Sequence, residues 1–286
     1  HLLLREKSLP DHRLGISYYH GLPSTGFPLF DKAYSRFHEI HPQLTRVHVS
    51  HSQMRDFLLN EGVAPEKVFQ ILIGVDTTIF QRQTTENKKN ARDALGIPHS
   101  AVVIGSFQRD GVGWNEGDRP RLEKGPDILL KTLALIQPRI PELLVLLSGY
   151  ARGYVIRGLE ELGIPYRHFL VDKYHEMSRL YHALDLYIVS SRQEGGPNAV
   201  FEAQASGVPL LTTRVGQAMD IIQHEQNGWI VDVEDYQALA YWTEEILNQQ
   251  DKSAIIKSGI DTASLYTYEA QAAKWQEFFR GFVEES

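Results

Sequence analysis

From residue 101 onward, strand-length apolar runs alternate with amphipathic stretches of helical length, and this alternation narrows the fold more than any other feature. The runs are "AVVIGSF" (101–107), "LLVLLSG" (143–149), "RHFLV" (167–171), "LDLYIVSS" (184–191), "VPLLTTR" (208–214) and "GWIVDV" (228–233). They are continuously apolar, which marks strands covered on both faces and hence a parallel sheet. Between them the sequence predicts helices over about 126–137, 153–163, 175–183, 198–206 and 217–223. Pro126 and Pro197 suit first helical turns, and Gly163 and Gly207 suit stops. Such βαβ units cross over right-handedly and bind ligands beyond the carboxyl ends of their strands.

Residues 1–75 carry a shorter pattern of the same kind: strand 14–20, helix about 28–40, strand 46–50, helix 52–61 and strand 68–74. The stretch 76–90 is polar and unperiodic and reads as a linker between two sheets. Three helical stretches follow residue 235, the last over 265–283 with apolar residues at helical spacing. The expected class is α/β. Only about 75 residues precede the linker, against the 100 or more of an ordinary complete domain of this kind. With His1 in place of Met at the front, processing or truncation is expected, and the first domain is expected to be incomplete.

The chain has 286 residues and a formal net charge of −7, which argues against gripping nucleic acid over the whole surface. An anionic ligand would need specific cations. Absence of cysteine fits a reducing compartment, so cytoplasm is the expected location, with peripheral contact at the inner membrane face left open. No apolar run reaches the roughly 18 residues of a membrane span.

The segment "EGGPNAVFEAQASG" (194–207) follows a strand directly and opens a helix. Free amides of residues 195–199, apart from Pro197 which has no N–H, and the positive end of the helix dipole then point at one spot in the cleft, which suits an anion. Gly195 and Gly196 would let a ligand approach the backbone closely. Glu202, one turn into the helix on the side of Asn198, could accept two hydroxyl hydrogen bonds from a vicinal diol such as a ribose; Glu194 could bind another polyol. Arg109, past the strand at 101–107, and Lys124 in "EKGPD" are the candidate cations for a pyrophosphate.

Three other patterns point away from function. His48 and His51 lack the companion ligands of a metal site and are explained by a strand end and a helix start. "GVGWNEG" (111–117) does not open a helix as a dinucleotide fingerprint must, and reads as a mobile insertion and a candidate lid over the diphosphate. In "DVED" (232–235), Asp235 suits a helix N-cap.

The ordered set "SFQRDG…EKGPDILL" (106–130), "EGGPNAVFEAQASGVPLLTT" with its E-x7-E spacing from Glu194 to Glu202, "NGWIVDVEDYQALA" (227–240) and "ILIGVDTTIF" (71–80) resembles the retaining glycosyltransferases of family 4, which have the two-Rossmann GT-B fold. The resemblance implies a partial acceptor-side domain, residues 1–75 plus a C-terminal helix at about 265–286 that crosses back to brace the cleft. Residues 76–264 would form the nucleotide-sugar-binding domain.

It also implies roles. Arg109 and Lys124 would bind the donor diphosphate, Glu202 the ribose, Glu194 the donor sugar, and the backbone at Gly195, Gly196 and Asn198 would line the pocket. Lys173 and Tyr174 would lie beside the base, and His20 would face the donor sugar across the cleft.

The expected reaction is transfer of a hexose-type sugar from a UDP or GDP sugar to a glycan, lipid-linked or small-molecule acceptor. It would proceed with retention, without metal or other cofactor, by same-face attack. The alternatives are a non-catalytic nucleotide-sugar-binding remnant or fragment, and, less favoured, a glycoside hydrolase using Glu194 and Glu202.

Overall fold

The computed structural model describes residues 14–18, 21–113 and 116–282, and two parallel sheets organise it. The first lobe runs through β1 (Gly15–Ser17), α1 (Pro28–Ile40), β2 (Arg46–Val49), α2 (Ser52–Asn60) and β3 (Val68–Gln70). Its strands lie in the order β1-β2-β3, with Val47 paired to Ile16 on one side and to Val68 on the other. Phe37, Ile40, Val49, Met54 and Leu58 close its core.

The second lobe starts with α3 (Thr85–Leu95), β4 (Val102–Ser106), α4 (Pro126–Ile136), β5 (Leu143–Ser148) and α5 (Gly153–Leu162). It continues through β6 (Tyr166–Phe169), α6 (Met177–His182), β7 (Leu186–Val189) and α7 (Asn198–Ala205). The remaining elements are β8 (Leu210–Thr213), α8 (Ala218–Ile221), β9 (Trp229–Val231), α9 (Tyr236–Asn248), α10 (Ser253–Ser264) and α11 (Tyr268–Phe279).

The six strands of this lobe run parallel in the order β6-β5-β4-β7-β8-β9. The order reverses between β4 and β7, where an open α/β sheet leaves a crevice at the carboxyl ends of its strands. One apolar cluster containing Leu146, Tyr181 and Phe201, and another containing Leu129, Val145 and Trp229, pack against the sheet. Cover on both sides is why these strands read as unbroken apolar runs.

The strands are shorter than those runs for a reason that matters to the site. β7 ends at Val189 because Ser190 Oγ donates to the Gly125 carbonyl at 2.9 Å and the Ser191 carbonyl accepts from Thr213 Oγ1 at 2.6 Å. These residues leave the ladder to dock the turn that follows β4 onto the turn that follows β7.

The expectation of a linker over 76–90 is corrected: α3 begins at Thr85. Its apolar face is thin, and the helix is specified by its ends. Thr84 Oγ1 accepts from the Asn87 amide at 3.1 Å, Asn87 Oδ1 accepts from the Thr84 amide at 2.7 Å, and Gly96 closes the helix at φ 63°. Its buried face is completed by a charge, since the side chain of Arg92 is only 6% exposed beside Asp185.

The chain crosses between lobes twice, side by side. The Val75 amide donates to the Tyr266 carbonyl at 3.1 Å, and Val75 pairs with Thr267 in a parallel bridge. α11 then lies on the first sheet. Arg46 donates to the Glu277 carbonyl at 2.6 Å and stacks its guanidinium over Phe69 at 5.3 Å, while Trp275 meets His48 at 4.6 Å. Phe278, 4% exposed, contributes roughly 1.5–3 kcal/mol of apolar burial to this union.

Candidate active site

A cavity of about 870 Å³ opens at the carboxyl ends of β4, β5, β6 and β7 and is walled on the other lobe by Ile73. Arg109, Lys124, Glu194, Gly196, Asn198, Tyr174 and Glu202 all line it.

Local geometry explains why Lys124 and Glu194, 70 residues apart, meet. Gly125 adopts φ 63°, and a Cβ there would stand 1.9 Å from the Ser190 carbonyl oxygen, so only glycine permits this close approach. Arg192 locks the same junction by a two-pronged ion pair to Asp127, at 2.8 and 2.7 Å, and its amide donates to the Glu123 carbonyl at 2.9 Å. Burial opposes ionisation of Asp127, but the Arg192 guanidinium outweighs it and holds the carboxyl below its ordinary range. On this platform Lys124 Nζ donates to Glu194 Oε2 at 2.6 Å, and Ser191 Oγ donates to Glu194 Oε1 at 3.0 Å. Gln108 ties the Lys124 carbonyl at 2.7 Å and accepts from Ser191 at 3.1 Å.

Helix α7 opens beside this pair. Pro197 occupies its N-cap and not the first turn, and no side chain caps it. One turn in, Glu202 is 7% exposed. Tyr174 donates to its Oε1 at 2.6 Å and Tyr181 to its Oε2 at 2.7 Å. Burial pushes the Glu202 carboxyl up, and the two phenol hydrogen bonds pull in the opposite direction without cancelling it. Burial, then the neighbouring carboxylate, pushes the Tyr181 phenol far upward, so Tyr181 remains a donor.

Some expectations need revision. The space over Gly196 is taken by protein: an added Cβ would stand 2.6 Å from Ile73 Cδ1 and 3.0 Å from Gln217 Oε1. That glycine serves the approach of the two lobes as well as any ligand. Gly195 is not on the cavity wall, and its carbonyl accepts from the Gln217 amide at 3.0 Å. Lys173 is exposed and off the wall, while Asp172 and Tyr174 beside it line the cavity. Arg109 lines it with its guanidinium turned to the Gly113 carbonyl. His20 lies outside the described residues.

The expected mobile insertion at 111–117, of which Trp114 and Asn115 lie outside the described residues, is sewn down at both flanks. Val112 donates to the Arg119 carbonyl at 2.8 Å, and the Glu116 and Gly117 carbonyls accept from the first two amides of α5, at 2.6 and 3.1 Å. Asp110, fully buried, pairs with buried Arg152 at 3.0 Å, which also holds the Ser106 and Ser148 carbonyls at 2.6 and 2.9 Å. This cluster ties the ends of β4 and β5 together next to Arg109.

The histidines have structural partners: His48 Nε2 donates to the Ile71 carbonyl at 2.7 Å, and His51 Nδ1 caps α2 by accepting from Met54 at 3.3 Å. Asp235 Oδ1 accepts from the Ala238 amide at 2.8 Å as the N-cap of α9.

Residues that the sequence did not single out complete the site. Gln217 Oε1 accepts from the Ile73 amide at 2.9 Å, and Asp220 accepts from the Ser52 amide at 2.7 Å and from Gln70 at 2.9 Å, joining the lobes beside the cavity. Tyr181 and Ser191 orient the two glutamates. A signal for Tyr181 existed, since it stands seven residues after Tyr174 and two helical turns would put both on one face.

Comparison with known proteins agrees with this geometry. Residues 118–260, half of the chain, match the family described as glycosyl transferases group 1. The D-inositol 3-phosphate glycosyltransferase of Corynebacterium urealyticum is 32% identical over 219 residues, covering 72% of this chain and 49% of that protein. The lipopolysaccharide core biosynthesis mannosyltransferase LpsB of Rhizobium meliloti is 29% identical over 178 residues, covering 59% of this chain and 47% of that protein. The chain thus spans about half the length of these curated relatives.

Among solved structures, Anabaena Alr3699/HepE in complex with UDP and glucose superposes with a TM-score of 0.77 at 18% identity, over 96% of this chain and 72% of that one. That identity speaks to the fold alone, and it is the GT-B fold. On the family match and this architecture together, the chain belongs to the glycosyl transferases group 1 and is built on the GT-B plan.

Proposed function

We propose that this chain carries the donor site of a retaining glycosyltransferase of family 4, which moves a hexose-type sugar from a nucleoside-diphosphate sugar to an acceptor hydroxyl without a metal ion. The observation that carries this reading is the convergence of Lys124, Arg109, the uncapped start of α7 and the buried carboxylate of Glu202 on one cavity at the switch point of the sheet. Relatives named as an inositol-phosphate glycosyltransferase and a mannosyltransferase, and neighbours solved with UDP or UDP-glucose, support it.

In the proposed reaction, the bond between the anomeric carbon and the diphosphate oxygen breaks while the acceptor oxygen bonds to that carbon on the same face. The acceptor proton passes to the departing phosphate. Lys124, Arg109 and the α7 amides would stabilise the charge that develops on the leaving group, and preorganised donors of this kind usually supply the largest share of catalysis. To reach phosphate, Lys124 must loosen its hold on Glu194, which would free that carboxylate for the donor sugar. Gly196 and Asn198 would line the pocket, Glu202 would hold the ribose, and His20 would act from the other lobe. A cytoplasmic setting, with contact at the inner membrane face, belongs to the same proposal.

A glycoside hydrolase is less favoured. Such an enzyme needs one carboxyl with a raised pKa ready to protonate the leaving group. Glu202, the raised one, is engaged by two phenols, and Glu194 is ion-paired.

Calorimetric titration with nucleoside diphosphates tests the reading. Lys124→Ala and Glu202→Ala are each expected to weaken binding by at least about 1.5 kcal/mol, the scale of a hydrogen bond to a charged group. Titrations that match the unsubstituted protein would remove the clamp. Turnover with a UDP or GDP sugar, with the product's anomeric configuration read by NMR, separates retention from inversion and transfer from hydrolysis.

A further inference from the structure

Neither oxygen of Glu202 is bare. Tyr181 donates to Oε2 at 2.7 Å and Tyr174 to Oε1 at 2.6 Å. The two tyrosines are held very differently. Tyr181, on α6, is fully buried, with its ring edge-on to Phe80 and Phe107 and tilted against Tyr187. Tyr174 opens the single 3-10 turn Tyr174–Glu176 between β6 and α6, is 45% exposed, and meets Phe80 edge-on at 5.4 Å. Tyr174 is half-exposed on the cavity wall, whereas moving Tyr181 would open a hole in a close-packed core.

We propose that Tyr174 is a specificity-determining occupant of the donor subsite: its hydroxyl holds Glu202 Oε1 in the place of a nucleoside hydroxyl, and a bound nucleotide displaces it while Tyr181 stays. The proposal rests on the donor-binding reading above and adds to it a competitor carried by the chain itself. Stripping a buried carboxylate of a donor is expensive, so only a ligand that supplies its own hydroxyl there displaces Tyr174 readily. A bare pyrophosphate does not reach Glu202 and leaves Tyr174 where it is. The subsite therefore screens for the nucleoside independently of the phosphate clamp.

Affinity falls by the fraction of free molecules that are competent to bind, so removing the competitor raises it. Tyr174→Phe keeps the ring against Phe80 and deletes only the hydroxyl. Calorimetric titration of the whole chain with UDP, GDP, ADP, dTDP and inorganic pyrophosphate is the test. The nucleotide that binds the unsubstituted protein best should bind Tyr174→Phe roughly three- to tenfold tighter, pyrophosphate should bind both equally, and the gain should vanish in a Glu202→Gln background. Equal or weaker nucleotide binding by Tyr174→Phe, or the same gain for pyrophosphate, overturns the proposal. If the unsubstituted protein binds none of the four nucleotides, the donor-binding reading itself fails and this proposal with it; the two failures are thus told apart before any variant is made.

Discussion

The two edges of the six-stranded sheet use similar residues to opposite ends. At the amino ends of the strands, a cavity of about 590 Å³ is lined by Lys88, Arg92, Lys252 and Asp185. Arg92 there binds the carbonyls of Ala183, His99 and Ala101 at 3.1, 2.9 and 3.1 Å, besides Asp185 at 2.7 Å. Asp185 also takes Lys88 at 2.6 Å and the Val103 amide at 2.7 Å. Every donor on Arg92's inner side is answered by an element of the fold, and the cluster pins α3 to the sheet.

At the carboxyl ends, Lys124 holds Glu194 at a similar distance, yet this pair stands in the larger cavity beside an uncapped helix start. An ion pair by itself does not mark a ligand site. What separates the two edges is whether the surroundings have already answered the charges.

Four experiments would break or sharpen that contrast. The largest effect is expected at the rear edge. Arg92→Met leaves three carbonyls short of a donor and takes one cation from Asp185, and should lower stability by about 3–5 kcal/mol, since each buried acceptor left unpaired costs about 1–3 kcal/mol. Chemical denaturation measures it, and nucleotide affinity of the folded fraction should be unchanged. Lost affinity at a temperature where the variant is folded would mean that the rear edge is more than scaffold.

The next effect lies across the front cavity, in the first lobe. Burial lowers the pKa of His51 to about 4, with Asp220 pulling the other way. A histidine kept neutral by the fold takes up its proton more readily in the unfolded chain. Its contribution is therefore complete above about pH 6.5 and is lost as pH falls toward 4, by up to about 3 kcal/mol. Denaturation curves at pH 7.5 and 5 should show the difference, and His51→Asn, which keeps an N-cap side chain, should shrink it.

Third, Lys124→Ala at the front edge should change stability by less than Arg92→Met does, while weakening nucleotide binding by at least about 1.5 kcal/mol. Were it to destabilise the fold as strongly as the rear variant, the two edges would be alike after all. The smallest effect is expected of Thr84→Ala, which removes the N-cap of α3 and should lower the unfolding free energy by about 1 kcal/mol with no change at the front cavity.

Much of the second lobe was legible in advance because its signals are local. Gly125-Pro126 opens α4 and Gly163 closes α5 at φ 66°, each through a backbone requirement of a single residue. Helix α3 escaped because its message lies in the Thr84–Asn87 caps and Gly96 while its middle is charged. In the site, Lys124, Glu194, Asn198 and Glu202 could be placed on one cavity wall from strand–turn–helix order alone. The role of Gly196 was half legible: that something approaches its backbone could be inferred, but not that Ile73 of the other lobe does so.

The sequence alone therefore determined the parallel sheet, its covered faces and the edge at which the candidate site residues gather, because periodicity and turn chemistry act over a few residues at a time. Only the tertiary structure decided that Lys124 rests on Glu194, that Tyr174 and Tyr181 take the two oxygens of Glu202, and that Arg152 buries its charge against Asp110. Those partners lie 70, 28, 21 and 42 residues apart in the chain. Which of them meet depends on how successive crossovers stack, and no local pattern carries that information.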